Sequence, residues 1–406
     1  MGDALGALAG VKVLEFSEMI AAPFAGMNLG DLGADVIKVE PPEGDPWRHS
    51  LEFAPNESRT FLSLNRNKRG ITLDLKLPEA QAVAHRLVPS MDVVIVNYRP
   101  DVPKRLGIDY ETLGALNRRL IYVQNTAMGT RGDHSHRPGY DLIAQAVTGL
   151  MLTGGRVDHD GIPMPLTPAI GDYSTGLVIA LAICAALYAR ERTGVGQKVD
   201  TTLLGTSLAL QTASFMRTEV VAPTAEGSAS SSSPEARALN AYYRVYRTKD
   251  SMVAVACLTP TLRRKMADAL GVPDVRHERK IPRDSEEGRE AAVRFTGAAL
   301  ARFLERTTDE WLEAFDGAGV PAAPVRTVTE LLDDPQVLAN DLVVEYDHPA
   351  AGAVAMVGPV IQMEKTPTSV RRPPPTLGQH SAEILDELGY SSDEVDRLKE
   401  LGAITV

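Results

Sequence analysis

An aspartate at the start of a long apolar segment is the residue whose setting most suggests chemistry. Asp172 follows Gly171, and residues 177–189 read LVIALAICAALYA. Alanine and leucine at this density predict a helix, and apolar residues on every face predict a buried one. The apolar part is too short to span a bilayer, which needs about 20 residues. The pattern therefore predicts a carboxylate at the N-terminus of a core helix.

Two interpretations of Asp172 follow from this position. The helix dipole and the free backbone N–H groups favour an anion and would keep the pKa of the carboxyl low, which leaves a carboxylate available as a nucleophile. Aspartate is also a favoured N-cap residue, which is a purely structural role. The residues around Asp172 leave both interpretations open.

The preceding chain alternates between predicted strands and helices. Residues 11–16 and 35–40 predict strands on either side of a helix over 23–32, which is a βαβ unit with a parallel pair. Apolar strands that alternate with helices predict an α/β fold with a Rossmann-like, doubly wound parallel sheet. Further strands are predicted at 71–75, 91–96 and 120–124, and further helices at 79–88, 111–117 and 140–152.

The composition changes after this region. Residues 225–234 read AEGSASSSSP, which predicts a linker or loop. We therefore predict a large α/β domain that begins with residues 1–224 and a smaller α+β domain over 225–325. Residues 326–406 are predicted to return to the large domain.

Composition excludes several classes of function. The net charge of −11 argues against nucleic-acid binding, because phosphate contacts need a basic surface. The two cysteines form neither a disulfide framework nor a zinc motif, and no basic and apolar leader opens the sequence, so we expect a cytoplasmic protein. The first βα turn is not G-x-G-x-x-G, so no redox dinucleotide is expected, and the histidine spacing predicts no metal site.

Basic residues cluster near the predicted ends of the strands. In an acidic protein this clustering suggests an anionic ligand with phosphates, although solvated surface charges are the alternative. Arg105 follows a strand and turn most directly and is the strongest single candidate. The basic residues are Arg66, Lys68, Arg69, Lys76, Arg99, Lys104 and Arg105.

Several longer motifs resemble one known family. They include LGDLGADVIKVEPPEGD, LNRNKRGITLDLK, VNYRPDVPKRLGIDYETL, RPGYDLIAQAVTGLM and IGDYSTG, in this order along nearly the whole chain. Together they resemble the class III CoA-transferases, which include formyl-CoA transferase, carnitine CoA-transferase and α-methylacyl-CoA racemase. The resemblance is weakest over residues 225–300.

The resemblance implies a CoA thioester as substrate and assigns the catalytic aspartate to Asp172. Tyr140 is a second candidate catalytic residue, as a hydrogen-bond donor. Backbone N–H groups around Ile20, Ala21 and Ala22 are expected to stabilise an oxyanion. The expected CoA-binding residues are Ile20, Ala21, Leu73, Asp74, Leu75, Lys76, Asn97, Tyr98, Arg99, Arg105, Pro138, Gly139 and Asp141.

The chain departs from the family pattern in two places. Pro41 stands where formyl-CoA transferases carry an arginine after the IKVE motif, so we expect Arg48 or Lys76 to supply part of the phosphate contact. The glycine run that closes over the formyl-CoA transferase site is missing, and the serine-rich stretch near 230 is no evident substitute.

A third comparison separates transferase from racemase. The racemase has histidine in a G-H-D motif, where this chain has Tyr140, and its additional glutamate aligns with Thr259. Tyrosine is a poor base at neutral pH, so the resemblance favours a transferase. The alternatives are an acyl-CoA racemase or epimerase and a non-catalytic acyl-CoA-binding paralogue, whose signature would be loss of Asp172 or Arg105.

The expected reaction moves CoA from an acyl-CoA donor to a small carboxylic acid acceptor. Asp172 would form first a mixed anhydride and then an aspartyl-CoA thioester, which is covalent catalysis. No metal, redox nucleotide, nucleic acid or membrane is expected to take part. The family resemblance also implies a homodimer of interlocked chains.

Overall fold

The computed structural model of the chain describes residues 5–219, 240–282 and 285–405. The chain divides into two compact units. The larger consists of Met1–Met151, Met164–Arg217 and Pro335–Val406, and the smaller of Leu152–Pro163 and Thr218–Asp334. The serine-rich segment 225–234 lies outside the described residues.

A six-stranded sheet organises the described part of the larger unit. The sheet order is β5-β2-β1-β6-β7-β8, and all neighbouring strands are parallel. This is the strand order of a Rossmann fold, with its reversal between β1 and β6. The predicted parallel α/β sheet is therefore confirmed. The strands are β1 Lys12–Phe16, β2 Asp35–Glu40, β5 Lys68–Thr72, β6 Val93–Val96, β7 Ile121–Thr126 and β8 Lys198–Thr202, with a short β3 (Glu52–Ala54) and β4 (Glu57–Ser58) hairpin between β2 and β5.

Helices cover both faces of this sheet. Alternate side chains of each strand point to opposite faces, and most side chains of the central strands β1 and β6 are apolar and buried, whereas Glu15 of β1 is buried and charged. One face packs on α1 and α8. The other packs on α3, α5 and the two C-terminal helices, α16 and α17. The helices of this unit are α1 Ala21–Asp31, α2 Arg59–Leu62, α3 Pro78–Leu87, α4 Val102–Arg105, α5 Tyr110–Leu116, α6 Asp141–Val147, α7 Leu150–Thr153, α8 Ile170–Thr193, α9 Leu203–Ala209, α10 Thr212–Phe215, α15 Pro335–Ala339, α16 Ser381–Glu387 and α17 Ser392–Glu400.

Helix α8 differs from its prediction in two respects. It has 24 residues, so it is long and apolar enough to meet simple criteria for a membrane span. It is also not buried on every face. Ile179 and Ile183 pack against the sheet, whereas Leu181 and Tyr188 are 69% and 67% exposed. The sequence could not reveal this asymmetry, because both faces of the helix are apolar.

The smaller unit has its own core. Strands β9 (Tyr243–Arg247) and β10 (Met252–Ala256) form an antiparallel hairpin, and β11 (Ala322–Pro324) adds a third antiparallel strand to β10. Aromatic side chains fill the core beneath them, with Tyr246 stacked on Phe303 at 4.1 Å. The helices are α11 Pro260–Leu270, α12 Val275–Arg279, α13 Glu286–Phe303 and α14 Thr308–Ala318.

The C-terminal part of the chain belongs to the larger unit from residue 335 onward. An antiparallel hairpin of β12 (Val343–His348) and β13 (Gly352–Val357) precedes an extended segment and then α16 and α17. The boundary differs slightly from the predicted one, because residues 326–334 group with the smaller unit, as do residues 152–163.

Candidate active site

Two adjoining cavities lie at the carboxyl ends of the strands, where ligands of open α/β sheets bind. Cavity A has a volume of about 650 Å³, and cavity B about 500 Å³. Glu18, Tyr98 and Val102 line both cavities, so they mark the junction. The strand reversal between β1 and β6 creates this cleft, because the segments after the two strands diverge.

The two candidate catalytic residues and all thirteen expected CoA-binding residues line one of these cavities. Those of cavity A are Ile20, Ala21, Asn97, Tyr98, Arg99, Pro138, Gly139, Tyr140, Asp141 and Asp172. Those of cavity B are Leu73, Asp74, Leu75, Lys76, Tyr98 and Arg105.

Asp172 is not the N-cap of its helix. Helix α8 begins at Ile170 with Ala169 as its N-cap, so Asp172 is the third helical residue. The prediction of a low pKa is also wrong. Burial raises the pKa of Asp172 to about 7, and the negative charge of Asp141 acts in the same direction. Removal from water outweighs the attraction of the helix terminus here.

Asp141, from helix α6, bonds the start of α8 in the way that the sequence suggested for Asp172. Its Oδ1 accepts hydrogen bonds from the backbone N–H of Gly171 at 2.7 Å and of Asp172 at 3.3 Å. Its Oδ2 accepts one from the side chain of Gln145 at 2.5 Å. These contacts give Asp141 a structural role at the helix start. Its expected role in CoA binding stays a prediction.

The first βα turn is fixed by side chains from two other segments. Asn97 accepts a hydrogen bond from the Glu18 N–H at 3.0 Å and donates one to the Glu18 carbonyl at 2.7 Å. Asp45 accepts one from the Met19 N–H at 3.2 Å, and Met19 has a φ of 68°, which is uncommon for a non-glycine residue. Asn97 therefore supports the turn. The turn leads into α1, whose first N–H groups have no intrahelical acceptor.

Glu18 and Trp47 are cavity residues that the predicted set missed. Burial raises the pKa of Glu18 above its ordinary value, and the charge of Asp45 adds to this effect. The available signal for Glu18 was its position directly after β1. Trp47 carried no comparable signal, because it lies in a short 3-10 helix, Pro46–His49, that the sequence analysis did not predict.

The basic residues separate into two groups. Arg66, Lys68 and Arg69 are buried and form ion pairs with Asp31, Glu15 and Asp35. For these three the prediction of a phosphate-binding cluster is wrong, because partners within the fold neutralise them. By contrast, Lys76 and Arg105 line cavity B and Arg99 lines cavity A, all with exposed side chains. Lys104 is exposed and lines neither cavity.

Arg48 does not replace the arginine missing at Pro41. Its side chain is fully buried, with Nε 2.7 Å from Glu40 and Nη1 3.5 Å from Glu57. Lys76, the other predicted replacement, lines cavity B together with Pro41.

Within the described residues, one cluster has ligand atoms close enough to hold a metal ion. It consists of Asp158, His159 and Asp160, which are neighbours in a loop. None of them lines cavity A or B, and His159 and Asp160 are exposed.

Thr259, the position that aligns with the racemase glutamate, caps α11 by accepting a hydrogen bond from the Leu262 N–H.

Comparison with known proteins shows the family to which the chain belongs. Residues 8–381 match the family model described as CoA-transferase family III. The chain belongs to CoA-transferase family III. It is 35% identical to succinyl-CoA:glutarate CoA-transferase from Mus musculus, over 99% of this chain and 91% of that protein. It is 32% identical to succinyl-CoA--D-citramalate CoA-transferase from Chloroflexus aurantiacus, over 96% of both chains.

A solved structure agrees with this assignment. The crystal structure of a CAIB/BAIF family protein from Brucella suis matches with a TM-score of 0.77 and 31% identity, over 95% of this chain and 100% of that chain. The family and the enzyme class expected from sequence are therefore confirmed: this member of CoA-transferase family III is a CoA-transferase that acts on CoA thioesters.

Proposed function

We propose that this family III enzyme transfers CoA from an acyl-CoA donor to a small carboxylic acid through covalent intermediates on Asp172. The observation that most supports this proposal is that the Asp172 carboxylate lines a cavity without a bonding partner among the described residues. It lines cavity A, and no hydrogen-bond or ion-pair partner for it occurs among residues 5–219, 240–282 and 285–405. A structural aspartate at a helix start would be expected to bond the backbone, as Asp141 does.

The reaction begins when the Asp172 carboxylate attacks the thioester carbonyl. The C–S bond breaks, which leaves a mixed anhydride and CoA thiolate. The thiolate attacks the aspartyl carbonyl and releases the donor acid, and the enzyme then carries an aspartyl-CoA thioester. The acceptor carboxylate reverses these steps. Dividing one acyl exchange in this way lowers each barrier.

Three features of cavity A suit these steps. A carboxylate with a pKa near 7 is more basic than an ordinary aspartate and therefore a stronger nucleophile toward a thioester. Ile20 and Ala21 line the cavity, and in this proposal the backbone N–H groups at the start of α1 stabilise the developing oxyanions. Tyr140 is 63% exposed at the cavity wall, from where its hydroxyl can donate a hydrogen bond to the bound acyl group.

CoA occupies cavity B in this proposal. Lys76 and Arg105 bind its phosphates by charge-assisted hydrogen bonds, and the side chains of Leu73 and Leu75 contact the apolar parts of the molecule. The pantetheine arm crosses the junction past Glu18 and Tyr98, so its thioester reaches Asp172.

The names of the relatives guide the choice of substrates. Both curated relatives described above are named for succinyl-CoA as donor, with glutarate or D-citramalate as the other acid. We therefore take succinyl-CoA as the donor and a small dicarboxylic acid as the acceptor. Arg99 is the cation that lines cavity A among the described residues, and it suits the second carboxylate of such an acid.

A decisive experiment compares wild type with Asp172→Asn in exchange assays with succinyl-CoA and a panel of acids. Asparagine keeps the side-chain shape but not the nucleophile, so exchange should fall at least ~1,000-fold. Hydroxylamine added during turnover should inactivate the wild type by trapping the aspartyl thioester, and it should leave Asp172→Asn unmodified by mass spectrometry. Near-normal exchange by the variant would exclude the mechanism. Deuterium exchange at the α-carbon without any acceptor acid would instead favour a racemase.

A homodimer fits the exposed side of α8. Leu177, Leu181 and Tyr188 are each at least half exposed on one side of this helix, and contiguous apolar surface commonly marks an interface. We propose that a second copy covers it, as in the interlocked dimers that the family resemblance implies. The free cysteines, Cys184 and Cys257, fit a cytoplasmic enzyme. Sedimentation of the purified protein without detergent tests the dimer against membrane association.

A further inference from the structure

The start of α8 is held by a second carboxylate. Asp141 lies at the first position of α6 and is only 8% exposed, yet it belongs to a different helix from the backbone groups that it binds. It accepts from the N–H groups of Gly171 and Asp172, the two residues at the point where α8 enters cavity A. The backbone of the nucleophile is therefore tied to α6.

Gln145 extends this connection to the segment that leads into α8. One turn after Asp141, its side-chain amide donates to Asp141 Oδ2 at 2.5 Å and to the Leu166 carbonyl at 3.0 Å. Its Oε1 accepts from the Leu166 N–H at 2.8 Å. Asp141 and Gln145 of α6 therefore hold both the start of α8 and the segment at Leu166 that precedes it.

Gly171 allows the close approach that this arrangement needs. A Cβ at this position would lie 2.7 Å from Asp141 Oδ1 and 3.0 Å from Ser207 Oγ. Any side chain would therefore separate Asp141 from the helix start. The glycine before Asp172 is explained by this contact rather than by backbone flexibility.

We infer that Asp141, supported by Gln145, is the positioning residue of this transferase: it caps the nucleophile's helix so that the Asp172 carboxylate stays free for attack, and it keeps a negative charge beside that carboxylate. The inference rests on the proposed function of Asp172. A capping residue on the nucleophile itself would turn the carboxylate back onto its own backbone. Because Asp141 of α6 bonds the N–H groups at the start of α8 instead, the Asp172 carboxylate does not have to.

The charge has a separate consequence. Burial raises the pKa of Asp172, and among the described residues the negative charge of Asp141 adds to this effect. Arg99, Glu18 and Tyr140 line the same cavity, but Asp141 is the acid that contacts the Asp172 backbone. Neutralising Asp141 should therefore make Asp172 ionise at lower pH without opening the site.

Four variants test this inference. Asp141→Asn keeps an acceptor oxygen and removes the charge, so the pKa of Asp172 should fall by about one unit. Asp141→Ala also removes the cap, so kcat should fall ~100-fold through misplacement of the nucleophile. Gly171→Ala should imitate the loss of position while keeping the charge. Asp109→Ala is the matched control, because Asp109 caps α5 by accepting from the Thr112 N–H at 3.1 Å, away from both cavities.

Two measurements keep the inference separate from the proposed function. Carbon-13 NMR of labelled aspartate reports the ionisation of Asp172 without catalysis, and exchange assays report kcat. The expected result is a lowered Asp172 pKa in Asp141→Asn and a reduced kcat in Asp141→Ala and Gly171→Ala. Asp109→Ala should lower the Tm and change neither readout.

An Asp172 pKa that is the same in Asp141→Asn and wild type would overturn the electrostatic role. A kcat within threefold of wild type in both Asp141→Ala and Gly171→Ala would overturn the positioning role. If the wild type transfers CoA to none of the acids in the panel, the proposed function fails. The NMR titration still decides the electrostatic role of Asp141 in that case.

Discussion

Glu15 and Asp172 are two acidic residues withdrawn from water within the same unit, with opposite surroundings. Glu15 is fully buried in β1, with Lys68 Nζ 2.9 Å and Lys38 Nζ 3.4 Å from its carboxylate. Asp172 is partly buried beside a second carboxylate, with no cation among the described groups that shift its pKa. Buried charges are ordinarily paired, so an unpaired one marks a group kept for chemistry. The difference contrasts an acid that stabilises the fold with the acid that we propose as the nucleophile.

The strongest test of this comparison is Asp172→Asn. Exchange activity should fall ~1,000-fold or more, because the nucleophile is lost. The free energy of unfolding at pH 7 should stay equal or increase, because a buried carboxylate without a partner costs stability when ionised. Urea titration beside the exchange assay checks both. A clear loss of stability would show that Asp172 has a structural partner after all.

Lys68→Met should give the reverse pattern. It leaves Glu15 short of a buried cation, which typically costs ~3–5 kcal/mol of unfolding free energy. Residual folded protein should keep most of its kcat, because Lys68 lines neither cavity. Denaturant unfolding measures the first effect. Lys12→Met, at an exposed position of β1, is the control and should change little.

The pH dependence should also separate the two acids. The pKa of Asp172 is raised above its unfolded value, to about 7. Its contribution to stability is therefore present at low pH and is lost as pH rises toward 7, whereas activity is lost as pH falls through 7 because attack needs the carboxylate. Asp172→Asn should remove this term, so its stability relative to wild type should rise between about pH 4 and 7. A constant difference across that range would contradict the raised pKa.

The cations offer the smallest test. Arg69 is bound by Asp35, Glu383 and Glu387, whereas the one ion-pair contact of Arg105 among the described residues is with Asp101 at 3.9 Å, and its side chain is 67% exposed. Arg105→Ala should raise the KM for acyl-CoA about tenfold, the effect of losing one charge-assisted phosphate contact. Stability should change by less than ~0.5 kcal/mol, because an exposed pair contributes little. An unchanged KM would remove Arg105 from the proposed CoA site.

The alternation of strand and helix patterns was enough to predict a parallel sheet, although only β6 among its described strands is apolar throughout. Strand β8 was not predicted, because KVDTT carries no apolar run. The faces of α8 were not predictable, since apolar residues all round give no direction. Too many of the basic residues near the strand ends were predicted to bind phosphate. Charge alone does not distinguish an arginine that lines a cavity from one that pairs with a distant acid, as Arg69 does with Glu383, 314 positions away.

The sequence by itself determined the family, the α/β architecture and Asp172 as the residue around which a site would form, because these depend on motifs and local patterns. The tertiary structure alone decided what Asp172 is. It placed the residue inside the helix rather than at its cap, made Asp141 the carboxylate that bonds the helix start, and raised the pKa of the Asp172 carboxyl instead of lowering it. The reason is that capping partners and burial depend on residues distant in sequence, here 31 positions apart.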